Sequence, residues 1–232
     1  IDLIVIGNAV SKDNEEVLAL QEKGLPYTSL PEALRRFFLK KRKSLVVAGT
    51  HGKTSTTALL SWMLYSAGHR PGFMVGGWIK NFDSNHAIPQ GNFFVTEGDE
   101  YDTAFFDKGP KFLHYQPFAS ILTGIEFDHA DIYRDIDHIK DSFRKYVRTI
   151  DPEGFLLVEF SDRHAQEVLA GAACAVETYG FSSDADWSAD GYRFEGGSGH
   201  FTLCHRGETA GTFRLPMIGR HNVENAVAVA AM

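Results

Sequence analysis

Lys53 and Thr54, directly behind Gly49-Thr50-His51-Gly52, are the side chains with the plainest chemistry in this sequence. A lysine ammonium there can reach the outer phosphates of a bound triphosphate, and a threonine hydroxyl suits Mg²⁺. Ser55 continues the polar stretch. For these groups to act together, a tight loop must be held in front of them. The apolar run 45–48 reads as one buried parallel strand, and the chain from Lys53 to about Ser66 reads as a helix. Strand, glycine turn, Lys-Thr and helix make a phosphate cradle. Its loop and first-turn N–H groups point at an anion, and the helix dipole favours that anion by roughly 0.3–1 kcal/mol. The widespread pattern G-x-x-x-x-G-K-[ST] asks for glycine at position 47, where this chain has Val47. The bland alternative is therefore an ordinary glycine turn between a strand and a helix. Agreement of strand, both glycines, Lys-Thr and helix favours an ATP-type site.

Two further strand ends carry polar tips. Segment 93–95 reads as a strand ending in Thr96-Glu97-Gly98-Asp99-Glu100, and carboxylates at the end of a parallel strand share the rim of the phosphate loop. Glu97 is the candidate second metal ligand, with Glu100 behind it. Segment 118–125 runs into Glu126-Phe127-Asp128-His129, where His129 is a candidate Mg²⁺ or Mn²⁺ ligand. Near the end of the chain, His221, Asn222 and Asn225 open a helix. Asn222 and Asn225 fall on one helix face, and amides can read donor and acceptor edges of a base. The alternative is that Asn222 only caps the helix.

Composition sets bounds on partners. The 232 residues are 44% hydrophobic and 12% aromatic, enough for a packed core of one large domain, or one domain plus a part of another. A net charge of −7 gives no sign of nonspecific nucleic-acid binding, so positive charge for phosphate must be local. Two cysteines without paired spacing, Cys174 and Cys204, point to a reducing cytoplasm and to no zinc site. No apolar run approaches the ~18 residues of a membrane span. The chain opens on Ile1 without a signal segment and stops at Met232 inside a helix, as a piece cut at both ends would.

The elements around the loop read as α/β. Residues 1–6 form a strand, Ser11 or Asn14 caps a helix ending near Gly24, and 27–30 is a second short strand. Pro31 opens a helix with Leu34, Phe37 and Phe38 on one face and Arg35, Arg36, Lys40 and Lys41 on the other. The basic run 40–43 (KKRK) reads as a solvated helix end and linker. After the loop come a glycine-rich strand and loop over 68–77, an amphipathic helix carrying Ile136, Ile139, Phe143, Tyr146, Val147 and Ile150, a strand at 155–160, a helix at 162–172 and a strand at 176–181. Short alternating runs over 186–217 read as antiparallel hairpins. The fold class is thus a P-loop-type, mostly parallel sheet flanked by helices, with an antiparallel β subregion. The tail of a Rossmann-like α/β domain precedes it.

Segments 49–54 (GTHGKT), 97–100 (EGDE), 126–129 (EFDH) and 219–225 (GRHNVEN) together resemble the Mur ligases, ATP-dependent amide-bond-forming enzymes of bacterial cell-wall synthesis. Segment 100–111 (EYDTAFFDKGPK) with 127–131 (FDHAD) looks closest to the murein-recycling branch, and the alanine-adding branch is the neighbour. The resemblance implies that residues 1–43 are the C-terminal part of a UDP-sugar-binding domain and 44–232 the central ATP-binding domain. A third domain, completing the amine site, would lie outside this chain, leaving the piece incomplete for catalysis. The resemblance also implies ATP with two Mg²⁺, or Mn²⁺ in their place, acting on UDP-N-acetylmuramate and a murein tripeptide. In the neighbouring branch the amine would be L-alanine, and a folylpolyglutamate-type ligase is a further alternative. Lys53 would contact the transferring phosphate, Thr54 and Glu97 one metal, and His129 the second. Gly49, Thr50, His51, Gly52 and Ser55 would complete the phosphate cradle, with His221, Asn222 and Asn225 toward adenine. Some relatives carry a carbamylated lysine in the helix after the histidine. The equivalent place here holds Arg144 beside Lys145, so that feature is not carried over.

Overall fold

In the computed structural model, which describes residues 1–128 and 132–232, the first unit is β1 (Ile4–Ile6), α1 (Glu15–Glu22) and β2 (Tyr27–Ser29). Asn14 caps α1 by accepting from the Glu16 N–H at 2.9 Å, and β1 pairs with β2 in parallel. Ser29 then caps α2 (Leu30–Leu34), with Pro31 in the first turn where its missing N–H costs nothing. The helix continues as a π-helical turn over Arg35–Leu39. That wider turn rotates the faces, so Leu34 and Leu39 are buried while Phe37 is 54% exposed. Phe37 therefore does not join Leu34 and Phe38 on the core face, as plain helical spacing had it.

The main body runs through β3 (Lys43–Ala48), α3 (Lys53–Ser66), β4 (Gly72–Ile79), β5 (Ser84–Ala87) and β6 (Phe93–Gly98). A small hairpin, β7 (Asp102–Ala104) and β8 (Asp107–Pro110), leads to β9 (Ala119–Leu122) and α4 (Ile136–Val147). Then follow β10 (Phe155–Glu159), α5 (Arg163–Glu167), β11 (Ala175–Gly180), β12 (Trp187–Glu195), β13 (Ser198–His205), β14 (Glu208–Leu215) and α6 (Arg220–Ala231). β5, β7 and β8 are additions to what sequence spacing suggests. α5 ends at Glu167 rather than 172, because the chain breaks into turns that Gly171 closes at φ +102°.

Ten strands form one sheet in the order β14-β13-β12-β11-β10-β9-β3-β6-β4-β5. The seven strands from β12 to β4 are mutually parallel, while β13 pairs antiparallel with β12 and β14, and β5 with β4. The apolar runs explain why the middle is covered on both sides. Val46, Ala48, Leu122, Leu156 and Val158 face one core with Phe143, Tyr146 and Val147 of α4. Leu45, Val47, Val95, Ile121 and Leu157 face the other, with Leu60 of α3 and Val223, Val227 and Ala228 of α6. Alternation along each strand puts successive side chains into opposite cores. Parallel β3, β6 and β9 all end on one rim, and residues 49–54 and Glu97 are gathered there.

Candidate functional site

β3 ends at Ala48 and the chain turns through Gly49 (φ +127°) and Gly52 (φ +80°) into α3. Both angles lie where only glycine is at ease. Gly49 is also pressed against β9's exit loop: a Cβ there would sit 2.8 Å from the Gly124 carbonyl oxygen. The loop is laced to that neighbour. Thr123 N–H donates to the Ala48 carbonyl and Thr50 N–H to the Gly124 carbonyl, each at 2.9 Å, and Glu126 N–H donates to Thr50 Oγ1 at 2.9 Å. Asp162 pins the same exit from the other side, accepting from Ile125 N–H at 3.0 Å while it caps α5 through Ala165 N–H at 2.7 Å. No side chain caps α3, whose first turn opens directly onto the loop.

Lys53 points back into this turn. Its Nζ donates to the Gly49 carbonyl at 2.6 Å and the Thr50 carbonyl at 3.2 Å, and to both oxygens of Glu100 at 2.9 and 3.2 Å. Glu100 is 2% exposed, so this is a desolvated ion pair. Tyr133 donates to the Glu100 carbonyl at 2.7 Å; burial above all lifts its phenol to about 12, so it stays a donor at neutral pH. Thr54 Oγ1 donates to Glu97 Oε2 at 2.9 Å, and Gly76 N–H donates to Glu97 Oε1. A Cβ on Gly77 would stand 2.9 Å from the Thr54 methyl. The glycine pair in β4 thus lets a strand pass tightly over Thr54 and Glu97, a role not read from the sequence, although a double glycine within a strand is a recognisable sign of close approach.

The structure brings Gly49, Thr50, Gly52, Lys53, Thr54 and Glu97 together on one rim. Ser55 lies in the first turn of α3. Asn225 joins them from α6: its Oδ1 would lie 3.3 Å from a Cβ on Gly52. Asn222 is not the helix cap, a position held by Gly219; its Nδ2 instead donates to the Ile218 carbonyl at 2.7 Å. His221 is exposed at the start of α6. The His51 ring turns outward to Glu126, with Nε2–Oε2 3.7 Å and both side chains exposed. His129 lies outside the described residues, and among the described residues no group of three or more His, Cys, Asp or Glu could hold a metal. The hard oxygens of Thr54 and Glu97, already converged, nevertheless fit a magnesium ion.

Beside the loop is a cavity of about 190 Å³ walled by Thr50, His51, Gly124, Glu159, Asp162 and Glu224. The Glu224 carboxyl is pushed up, first by burial and then by the Glu159 charge.

A family description, the Mur ligase middle domain, matches residues 47–232. The chain belongs to the Mur ligase family. Among its Mur ligase relatives is a Haemophilus influenzae protein named UDP-N-acetylmuramate–L-alanyl-γ-D-glutamyl-meso-2,6-diaminoheptandioate ligase. It is 39% identical over 231 residues, which are 99% of this chain and 50% of that protein. A UDP-N-acetylmuramate–L-alanine ligase of Desulforapulum autotrophicum is 35% identical over all of this chain and 49% of its own length. The crystal structure of a ligase from Neisseria meningitides, carrying the first of these two names with diaminopimelate for diaminoheptandioate, superimposes with a TM-score of 0.91 at 40% identity. It covers 99% of this chain and 72% of that one. The chain spans about half the length of the curated Mur ligases it matches.

Proposed function

We propose that this chain is the nucleotide-binding part of an ATP-dependent, ADP-forming ligase that joins UDP-N-acetylmuramate to the tripeptide L-Ala-γ-D-Glu-meso-diaminopimelate. The observation that carries the reading is the convergence of Lys53 with the Thr54–Glu97 pair on one glycine-built rim. The substrates are taken from the names of the relatives at 39% and 40% identity. The alanine-adding activity, carried by relatives at 35%, is the second reading. In this account residues 44–232 are the central domain and 1–43 the end of a sugar-nucleotide domain.

In the proposed reaction the lactyl carboxylate of the sugar nucleotide attacks the γ-phosphorus of ATP, the bond to the bridging oxygen breaks, and ADP leaves. The amine of the peptide then attacks the acyl phosphate and expels inorganic phosphate. The first step brings two anions together, so the rim must supply positive charge and exclude water. Loop N–H groups hold the phosphates, Lys53 leaves Glu100 to meet the transferring phosphoryl group, and Thr54 with Glu97 holds Mg²⁺. A bound Mg²⁺ supplies charge neutralisation at the phosphate oxygens. A second metal is assigned to His129, and Asn222 and Asn225 are assigned to adenine, with His221 alongside.

The test is the full-length polypeptide supplied with ATP, Mg²⁺, UDP-N-acetylmuramate and tripeptide. ADP release coupled to a joined product supports the ligase; a rate greater with free L-alanine than with tripeptide favours the second reading; no ADP release with any amine overturns both.

A further inference from the structure

The opposite rim of the sheet carries the feature that the ligase reading leaves unused. At the starts of β3 and β9, between them and the turns after α2 and α4, lies a cavity of about 710 Å³. Arg35, Lys40, Arg42, Lys43 and Arg148 line it, and Asp151 is its single carboxylate. The six residues of β3, at about 3.3 Å each, put it roughly 20 Å from the phosphate loop.

Among the described residues none of the five cations has an ion-pair partner. Neutral groups aim three of them instead. Arg35 Nη2 donates to Gln116 Oε1 at 2.6 Å, Arg42 Nη1 donates to the Phe38 carbonyl at 3.1 Å, and Lys43 Nζ sits 4.1 Å above the Phe118 ring. Such partners orient a cation without cancelling its charge. Helix ends account for three of the five, since Arg148 closes α4, Lys40 closes the π-helical turn and Arg42 donates to that turn's Phe38 carbonyl, where carbonyls welcome positive charge. They do not account for Arg35 and Lys43. In a chain of net charge −7, converging cations repel one another unless an anion joins them.

We propose that this cavity is a second anion site, separate from the phosphate loop, for a small ligand carrying two or more phosphoryl groups. Guanidinium forks match phosphoryl oxygens in pairs, and the volume is that of a small-molecule site rather than a flat macromolecular face. The cavity spans residues 35–42 and the main sheet, so an occupant bridges the two.

Titration calorimetry of the full chain with inorganic tripolyphosphate tests this, because the probe can enter both rims. Two sites are expected in the wild type. Lys53→Ala should keep one, and adding Arg42→Gln and Arg148→Gln in that background should weaken it at least tenfold. Raising salt should weaken it too. If the arginine variants fail to show a cooperative melt, Lys40→Gln with Lys43→Gln, both at exposed positions, reads the same affinity. Loss of all binding in Lys53→Ala that still shows a cooperative melt, or unchanged binding in the folded charge-removed variants, overturns the proposal. Binding at the cavity but not at the loop would leave it standing while removing the nucleotide reading.

Discussion

The two rims of this sheet treat positive charge in opposite ways. At the strand ends, Lys53 is held by the buried Glu100 and two loop carbonyls, so its charge is answered before any ligand arrives. At the strand starts, Arg35, Arg42 and Lys43 are held by an amide, a carbonyl and a ring, and their charges are left open. The lesson concerns cost. A ligand at the loop must exchange one partner of Lys53 for another, which favours a phosphate that also gains loop N–H groups and a metal. A ligand at the other rim displaces no carboxylate, so affinity there rests on charge and falls with salt.

The largest effect should come from breaking the loop side. Lys53→Ala is expected to lower turnover of the full-length enzyme on the order of 10²–10³-fold, as loss of one preorganised charge-stabilising donor does, and to lower the melting temperature as well, because the buried Glu100 loses the Lys53 ammonium. Steady-state rates and calorimetry check both halves. Glu100→Ala makes the loop rim resemble the other one: Lys53 keeps its carbonyls but loses its counter-charge. A destabilisation of about 3 kcal/mol is expected by denaturant unfolding, because removing one partner of a buried pair strands the other. Asp162→Ala removes a helix cap and the clasp on Ile125 together, and should cost about 1–2 kcal/mol in the same assay.

Titration sharpens the contrast with smaller effects. Hydrogen bonds from Lys140 and then Arg163 hold the Glu167 carboxyl down at about 2. Its contribution is therefore present above the ordinary value of 4.5 and is lost as pH falls from there toward about 2; Glu167→Gln should flatten that limb of an acid-unfolding curve. Glu224 shifts the opposite way, raised by burial and by Glu159. Ionising it burdens the folded state as pH rises through its raised value. Glu224→Gln should therefore melt slightly above the wild type at neutral pH and level with it below pH 4.5.

What could be read from the sequence was what lies close along the chain. β3, the turn and α3 stand where the apolar run, the glycines and Lys-Thr put them, because each is fixed by its own residues. The alternating hairpins were visible for the same reason. Pairings across distance were not. The Lys53–Glu100 ion pair joins positions 47 apart and depends on the register of β3 against β6. The need for Gly76 and Gly77 appears only when β4 crosses Thr54, and the clasp by Asp162 only when α5 docks beside Thr123-Gly124. The basic run 40–43 is a solvated helix end as its composition suggests, with Lys40, Lys41 and Lys43 exposed, but the cavity it lines was not legible because Arg35 and Arg148 come from other elements.

The central claim is that Lys53, Thr54 and Glu97 receive one metal-bound triphosphate. Its most direct test is a crystal structure of this chain with Mg²⁺ and a non-hydrolysable ATP analogue. The account predicts the terminal phosphate within hydrogen-bonding reach of Lys53 Nζ, which has left Glu100, and the metal seated against Thr54 Oγ1 and Glu97. A triphosphate bound elsewhere, with Lys53 still on Glu100 and no metal at Thr54, would contradict it.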